Sequence, residues 1–271
     1  HWLARSAQAG GDRPALFSGE TQVASYAEFD AAARAVAGWL RAQGVKSGDR
    51  VAIFMKNTPD YLTVFYGIWY AGAAVVPINA KLHSREADFI VNDSGARFVF
   101  ASGGLAEGLG QGCDVIVAPS DRYSVILASA PVDTVTDRAG DDLAWLFYTS
   151  GTTGKPKGVI ITHAMALSMA LCYGVDVDQV TVDDTALYAA PMSHGAGLYN
   201  LMHVQAGARH VCPVSGWIDV PEIFDLAAHF RRFHLLASPP LVIRLAAGAL
   251  ALRRAASGLL AHWAASSLES R

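Results

Sequence analysis

The sequence of 271 residues predicts an α/β fold in which helices pack on the faces of a parallel β-sheet. In its N-terminal part, short apolar runs rich in β-branched residues alternate with longer segments of helical periodicity. Hydrophobic residues make up 52% of the chain and charged residues 17%, which is typical of a globular protein with a large core. The formal net charge is −3 with both signs mixed along the chain, so the composition argues against a nucleic-acid surface.

The order of the N-terminal elements is the feature that predicts parallel strands. Ser25 and Glu28 have the spacing of a capping box that opens a helix, and Pro59 suits the first position of the next helix. The predicted elements are a hairpin over 16–24, a helix from Ser25 to Gly44, a strand over 50–55, a helix from Thr58, a strand over 73–77, a helix over 84–92, and strands over 97–101 and 114–118. Strands that alternate with helices in this way lie parallel, because each helix returns the chain to the same end of the sheet.

One long stretch without a charged residue, residues 61–80, has the length that spans a bilayer. Gly67, Gly72 and Pro77 interrupt this stretch and divide it into a helix and a following strand. We therefore predict a buried helix–strand pair here and no integral membrane segment.

The cysteines and the N-terminus bear on the cellular location. Cys113, Cys172 and Cys212 are far apart and fit no metal-binding spacing, so each is predicted to be a small buried hydrophobe. A sparse, odd number of cysteines suits a reducing compartment, and the N-terminus has no signal-peptide pattern, which together predict a cytoplasmic protein. Because the sequence does not begin with Met, we expect a fragment or a chain processed at this end.

A glycine-rich loop at residues 148–159, Tyr-Thr-Ser-Gly-Thr-Thr-Gly-Lys-Pro-Lys-Gly-Val, is the strongest functional signal. Its glycines allow a tight turn and a close approach to a ligand. Successive backbone N–H groups in such a turn form a concavity that binds anions, and the hydroxyl side chains add further donors. Lys155 and Lys157 add positive charge. The loop is therefore predicted to hold a polyphosphate.

Apolar runs flank this loop on both sides. Residues 141–148 predict a buried strand, residues 158–162 predict a second strand, and a helix capped by Thr162 is predicted to follow. The loop is not a Walker A loop, because only two residues separate Gly151 from Gly154. An unrelated nucleotide hydrolase or phosphotransferase is thus disfavoured. The other alternative, a plain solvated turn, would not require a fixed run of this length.

Over these residues the sequence resembles, without a gap, the phosphate-binding signature of the AMP-forming adenylating enzymes. That superfamily contains acyl-CoA synthetases, the adenylation domains of peptide synthetases, and luciferases. A second segment strengthens the resemblance, since Pro191-Met192-Ser193-His194 is similar to the family's Pro-x-x-His motif and the small residues 195–197 suit acyl-CoA synthetases. By this resemblance His194 is a catalytic candidate that closes over the carboxylate being activated and gates the entry of the thiol. A histidine packed only for structure is the alternative.

The resemblance implies layered parallel β-sheets with flanking helices, as in the large N-terminal domain of acyl-CoA synthetases, here incomplete. It implies an acid–thiol ligase in which a carboxylate attacks the α-phosphorus of ATP, giving an acyl-adenylate and pyrophosphate, after which coenzyme A displaces AMP. The residues implied to hold the β- and γ-phosphates are Thr149, Ser150, Gly151, Thr152, Thr153, Gly154 and Lys157. Mg²⁺ is implied to bridge the phosphates, with Thr149 as the candidate metal contact, whereas Lys155 occupies a variable family position. The implied partners are coenzyme A and a small-molecule carboxylic acid, fatty or other acyl.

The resemblance covers residues 1–245, which we interpret as part of an AMP-binding domain. Residues 233–240 are predicted to form a strand entering a proline turn, with a helix from Leu241. Residues 246–271 form a divergent tail rich in Ala, Leu and Arg without a strand signal, predicted to be a helix around Leu250 to Trp263 or the product of a shifted reading frame. The family's adenine motif, ribose-binding aspartate and catalytic lysine are not found in the sequence. A truncated, catalytically incomplete nucleotide-binding remnant is therefore the alternative to an active ligase.

Overall fold

The strands of the chain form two sheets, and helices lie between and around them. The computed structural model describes residues 1–110, 112–149, 155–216, 218–230, 232–252 and 259–263. In chain order the strands are β1 (Pro14–Ser18), β2 (Thr21–Ser25), β3 (Arg50–Phe54), β4 (Ala74–Pro77), β5 (Phe98–Ala101), β6 (Asp114–Val117), β7 (Leu143–Thr149), β8 (Lys157–Thr162), β9 (Thr185–Leu187), β10 (Arg209–Cys212), β11 (Phe233–Ala237) and β12 (Leu259–Trp263). The helices are α1 (Trp2–Gly10), α2 (Tyr26–Ala42), α3 (Pro59–Tyr70), α4 (Ser84–Ser94), α5 (Asp121–Leu127), α6 (His163–Asp176), α7 (Gly195–Leu198), α8 (Asn200–Ala206), α9 (Val220–His229) and α10 (Pro239–Leu252).

The first sheet has the strand order β6-β5-β3-β4-β7-β8. Its strands pair in parallel except β7 and β8, which form an antiparallel hairpin. This confirms the α/β prediction and places the glycine-rich loop in the same sheet as the N-terminal strands. The uncharged stretch 61–80 contains most of α3 and all of β4, as predicted. Within the described ranges, no helix is long and apolar enough to cross a membrane.

The second sheet has the strand order β12-β11-β9-β10-β1-β2. β1 and β2 form the predicted antiparallel hairpin, and the other neighbours pair in parallel. The two motif-bearing segments therefore follow strands of different sheets, because the glycine-rich loop follows β7 and the Pro-x-x-His segment follows β9. A functional site that uses both segments must lie where the two sheets meet.

Helices α2 and α3 join the two sheets through one hydrophobic core. The capping box of α2 is confirmed, since Ser25 N–H donates to Glu28 Oε2 over 2.7 Å and Glu28 N–H donates to Ser25 Oγ over 3.3 Å. Every residue of α3 from Tyr61 to Tyr70 is buried, because this helix packs against strands of both sheets. Apolar residues of β3 and β4 share that core with residues of β1 and β9. The sheets are thus held at a fixed separation by buried helices.

The structure departs from the sequence prediction near the C-terminus and at the cysteines. Residues 259–263 are a strand. The prediction of a helix is therefore wrong over these residues, and so is the prediction that the tail contains no strand. This strand pairs in parallel along all of β11, a long-range contact that local propensity does not report. The predicted proline turn is the first turn of α10, where a missing backbone N–H costs nothing. Cys172 is exposed rather than buried, whereas Cys212 is buried and Cys113 is half-buried.

We predict that Gly67→Ala destabilises the chain through the crossing of α2 and α3. A Cβ at this position would lie 2.5 Å from Val36 Cγ1 and 3.0 Å from the Ala33 carbonyl oxygen. The expected loss in the free energy of unfolding, measured by urea denaturation, is about 1–3 kcal/mol. The matched control is Gly174→Ala in α6, where a Cβ would meet nothing within 4 Å. That change should stabilise the chain by up to about 1 kcal/mol through helix propensity. Equal effects at both positions would contradict the close helix crossing.

Candidate active site

The glycine-rich loop connects the two strands of the β7–β8 hairpin, as the sequence predicted. Thr149 at the end of β7 is the register partner of Lys157 at the start of β8. Directly opposed residues of an antiparallel pair point to the same face, so the Thr149 hydroxyl and the Lys157 ammonium group share one side of the hairpin. Both side chains are exposed. Ser150, Gly151, Thr152, Thr153 and Gly154 lie outside the described residues.

Helix α4 supports the hairpin on both sides of the loop. The Tyr148 hydroxyl donates to Asp93 Oδ2 over 2.6 Å. Desolvation and this hydrogen bond raise the pKa of Tyr148, so its hydroxyl remains a donor at neutral pH. On the other side of the loop, Lys155 Nζ lies 5.9 Å from the centroid of the Phe89 ring. Neither contact could be predicted from the sequence, because Phe89 and Asp93 lie far from the loop in the chain.

The Pro-x-x-His segment lies between a strand and a short helix. The strand β9 ends at Leu187, and the small residues 195–197 begin the short helix α7. The His194 N–H donates to the Pro191 carbonyl oxygen over 3.1 Å. Ser193 Oγ and His194 Nδ1 are 3.0 Å apart and share a hydrogen bond. The segment is therefore a tight turn that presents His194 from its end.

This turn lies against one face of β7. A Cβ on Gly197 would overlap the Met192 carbonyl oxygen and would lie 2.8 Å from Trp145 Cη2. The His194 ring meets the Phe147 ring edge-on, with the centroids 5.3 Å apart. Trp145, Phe147 and Thr149 alternate along β7, so their side chains point to the same face. The structure thus brings His194 to the end of the strand that also presents Thr149.

The electrostatic setting of His194 favours a neutral imidazole. Desolvation by the surrounding groups lowers its pKa below the ordinary value for histidine. The ring is therefore uncharged at neutral pH and can donate one hydrogen bond and accept another. It gains its charge only as the pH falls through the lowered pKa.

A cationic cavity of about 170 Å³ borders the same turn and was not found by sequence reasoning. It lies at the carboxyl ends of β3 and β4, where Lys56 and Lys81 follow the strands, and Arg244 of α10 lines another wall. Pro191 and Ser193 belong to the lining, and none of the lining residues that the structure describes is acidic. Ligands of open parallel sheets bind beyond the carboxyl ends of the strands, so the position of the two lysines was the available signal.

The family of the chain follows from comparison with known proteins. A family model described as AMP-binding enzyme matches residues 3–269, and the chain belongs to this family. The match includes β12 and continues past residue 245, after which the sequence had been interpreted as divergent. The glycine-rich loop and the His194 turn both lie within it.

The similar proteins include acyl-CoA ligases of different substrates and peptide synthetases. The chain is 35% identical over 187 residues to the long-chain-fatty-acid–CoA ligase FadD13 of Mycobacterium tuberculosis, which covers 64% of this chain and 36% of that protein. It is 33% identical over 203 residues to feruloyl-CoA synthase of an Amycolatopsis species, covering 73% of this chain and 40% of that protein. O-succinylbenzoate coenzyme A synthetase (MenE) from Bacillus subtilis, solved with AMP, superposes with a TM-score of 0.79 at 25% identity, over 90% of this chain and 63% of that chain.

We predict that Gly197→Ala displaces the His194 turn from β7. The new methyl group would overlap the Met192 carbonyl oxygen, so the turn must move, at an expected cost of about 1–3 kcal/mol in the free energy of unfolding. The control is Gly195→Ala, where the nearest atom, Leu236 Cδ2, would lie 3.5 Å from the new Cβ. This control should change stability by less than about 0.5 kcal/mol. Urea denaturation measures both, and NMR signals of the His194 ring should shift much further in Gly197→Ala than in Gly195→Ala. Unchanged ring signals in that variant would contradict the packing against β7.

Proposed function

We propose that the chain supplies the phosphate-binding and carboxylate-binding parts of an AMP-forming acid–thiol ligase. In the proposed reaction a carboxylate oxygen attacks the α-phosphorus of ATP. The bond between the α-phosphorus and the oxygen that bridges to the β-phosphate breaks, and pyrophosphate leaves. The sulfur of coenzyme A then attacks the acyl carbon, and AMP leaves with the bonding electrons. The observation that supports this proposal best is the placement of the His194 turn on the face of β7 that ends in Thr149.

The hairpin ends are suited to a polyphosphate. We propose that the N–H groups and hydroxyls of residues 149–154 hold the β- and γ-phosphates, and that the Lys157 ammonium group adds positive charge beside them. Support comes from the shared orientation of Thr149 and Lys157. A ligand with several negative charges needs such donors fixed before the reaction, because fixed donors need no reorganisation as charge moves to the leaving group.

His194 is proposed to contact the carboxylate that is activated. A neutral imidazole can donate a hydrogen bond to one carboxylate oxygen without forming an ion pair that would weaken the nucleophile. The lowered pKa of His194 keeps the ring in this state at neutral pH. Its contact with Phe147 fixes the ring beside the loop that is proposed to bind ATP.

The cationic cavity is proposed to serve the second half-reaction. Coenzyme A has several phosphate groups, and Lys56, Lys81 and Arg244 give the cavity a matching charge. The cavity borders Pro191 and Ser193, so a thiol that enters along it would arrive beside His194. This arrangement supports the proposed gating of the thiol by the His194 turn.

Mg²⁺ is proposed as the metal that accompanies ATP. Among the described residues, no group of three or more His, Cys, Asp or Glu side chains could hold a metal ion. Mg²⁺ generally keeps several waters and binds through one or two protein groups together with substrate phosphates. The exposed Thr149 hydroxyl fits that requirement as a single oxygen contact. When bound, the ion would supply positive charge to the phosphates.

The relatives leave the acyl group open. Their names specify a long-chain fatty acid and ferulate, which differ in size and polarity. The chain spans 36% and 40% of these two proteins. We therefore propose only a substrate class, a carboxylic acid. We also propose a cytoplasmic location, and residues 1–245 as the principal AMP-binding unit.

We predict that carboxylate-dependent exchange of labelled pyrophosphate into ATP reports the first half-reaction. With a mixed panel of acids, Lys157→Ala and Thr152→Ala should lower the exchange rate by roughly 10²-fold, because each removes a phosphate contact. Lys155→Ala is the matched control. It should lower the exchange rate by less than about tenfold, because Lys155 Nζ lies beside the Phe89 ring and is not proposed to contact phosphate.

Three outcomes would contradict the assignment. Equal losses for Lys155→Ala and Lys157→Ala would remove the specific role of Lys157. A folded chain that binds ATP without any exchange would favour a nucleotide-binding unit without catalysis. ADP as a product would instead indicate a phosphotransferase.

A further inference from the structure

Asn57 lies between the two sheets and binds the segment that leads to His194. It follows β3 at the carboxyl end of the first sheet and directly precedes Thr58, the residue before α3. Asn57 is 8% exposed, so it is almost fully removed from solvent. A buried carboxamide requires partners for its two N–H donors and its oxygen.

All of these partners belong to the segment after β9. Asn57 Nδ2 donates to the Tyr188 carbonyl oxygen over 2.6 Å and to the Ala190 carbonyl oxygen over 2.7 Å. The Met192 N–H donates to Asn57 Oδ1 over 3.0 Å. The carboxamide thus binds alternate residues of an extended backbone, as a neighbouring strand would.

These hydrogen bonds begin at the residue where the backbone pairing of this segment with the second sheet ends. The Tyr188 N–H still donates to the Val211 carbonyl oxygen of β10 over 3.0 Å. Tyr188, Ala189 and Met192 are buried, so their backbone groups need partners other than water. Asn57 supplies partners to buried groups of Tyr188 and Met192, and to the carbonyl group of half-buried Ala190, across the gap between the sheets.

The position of Met192 determines the position of His194. The Met192 carbonyl oxygen occupies the space above Gly197, against which the turn closes, and His194 N–H is bound to the adjacent Pro191 carbonyl oxygen. We propose that Asn57 is a positioning residue, which acts on the proposed reaction by fixing residues 188–192 and through them the His194 ring beside Phe147. The role of His194 in the reaction rests on the proposed function, whereas the positioning of its ring by Asn57 does not.

The residue type at this position follows from the hydrogen bonds. Asp has nearly the same shape but no N–H, so a carboxylate would face two carbonyl oxygens and repel them. Ala would leave two buried carbonyl groups and one N–H group without partners.

The test compares Asn57→Asp and Asn57→Ala with Asn79→Asp. Asn79 lines the same cavity, and among the described residues its Oδ1 accepts only the nearby Lys81 N–H, over 3.0 Å, a bond that Asp retains. In Asn57→Ala, hydrogen exchange of the Met192 amide should accelerate roughly tenfold or more, because the oxygen that accepts its N–H is removed. In Asn57→Asp it should also accelerate, because repulsion between the carboxylate and the Tyr188 and Ala190 carbonyl oxygens displaces the segment. The NMR signals of the His194 ring should move, while amides of α2 keep their exchange rates. Asn79→Asp should change none of these.

The same variants separate positioning from general stability. Where the wild-type chain exchanges pyrophosphate, Asn57→Asp should lower kcat by roughly 10²-fold with KM for ATP changed by less than threefold, because fixed geometry rather than ATP binding is lost. If the wild type shows no exchange, the proposed function fails for this chain, and the Met192 and His194 signals still decide the role of Asn57. Unchanged signals in folded Asn57 variants would overturn it, as would global unfolding of both variants.

Discussion

The close approach of the His194 turn to β7 is the constraint on which the candidate site depends. The turn can reach the strand only because residue 197 has no side chain, since a Cβ there would collide with the Met192 carbonyl oxygen and with the Trp145 ring. Trp145 is itself fixed, being 1% exposed and packed edge-on against Phe65 of α3 with centroids 5.5 Å apart. The buried layer of helices therefore determines where the turn sits and, with it, where His194 meets Phe147.

The site lies between two sheets, and this explains why its parts are held by side chains rather than by a shared strand. β7 belongs to the first sheet and β9 to the second. No ladder of backbone hydrogen bonds crosses from one sheet to the other in the described ranges. Residues 188–194, which follow β9, are instead connected to the first sheet by side chains. Asn57 binds one end of this segment, and the contact between the Phe147 and His194 rings holds the other end. Such discrete contacts fix position at a few points and leave the cavity between them open to a ligand.

Local signals in the sequence predicted the first sheet well and the assembly of the site poorly. The capping box at Ser25, the proline that opens α3 and the strand–loop–strand around residues 150–154 were all visible because they depend on neighbours in the chain. β12 was missed because its strand conformation comes from pairing with β11. Asn57 was missed because its partners lie more than 130 residues away. A histidine after proline suggested a role through family resemblance alone, and only the fold places it beside β7.

The central claim is that the phosphate loop and His194 form one site, and paramagnetic NMR with Mn²⁺·ATP tests it most directly. Mn²⁺ replaces Mg²⁺ on the nucleotide and broadens signals of nearby nuclei. The structure predicts that signals of Thr149, Lys157 and the His194 ring broaden together. Amides of α5 should broaden far less, because α5 packs on β6, roughly 20 Å from β7 at about 4.8 Å per strand across the sheet. Broadening at the loop that leaves His194 unaffected would contradict a shared site.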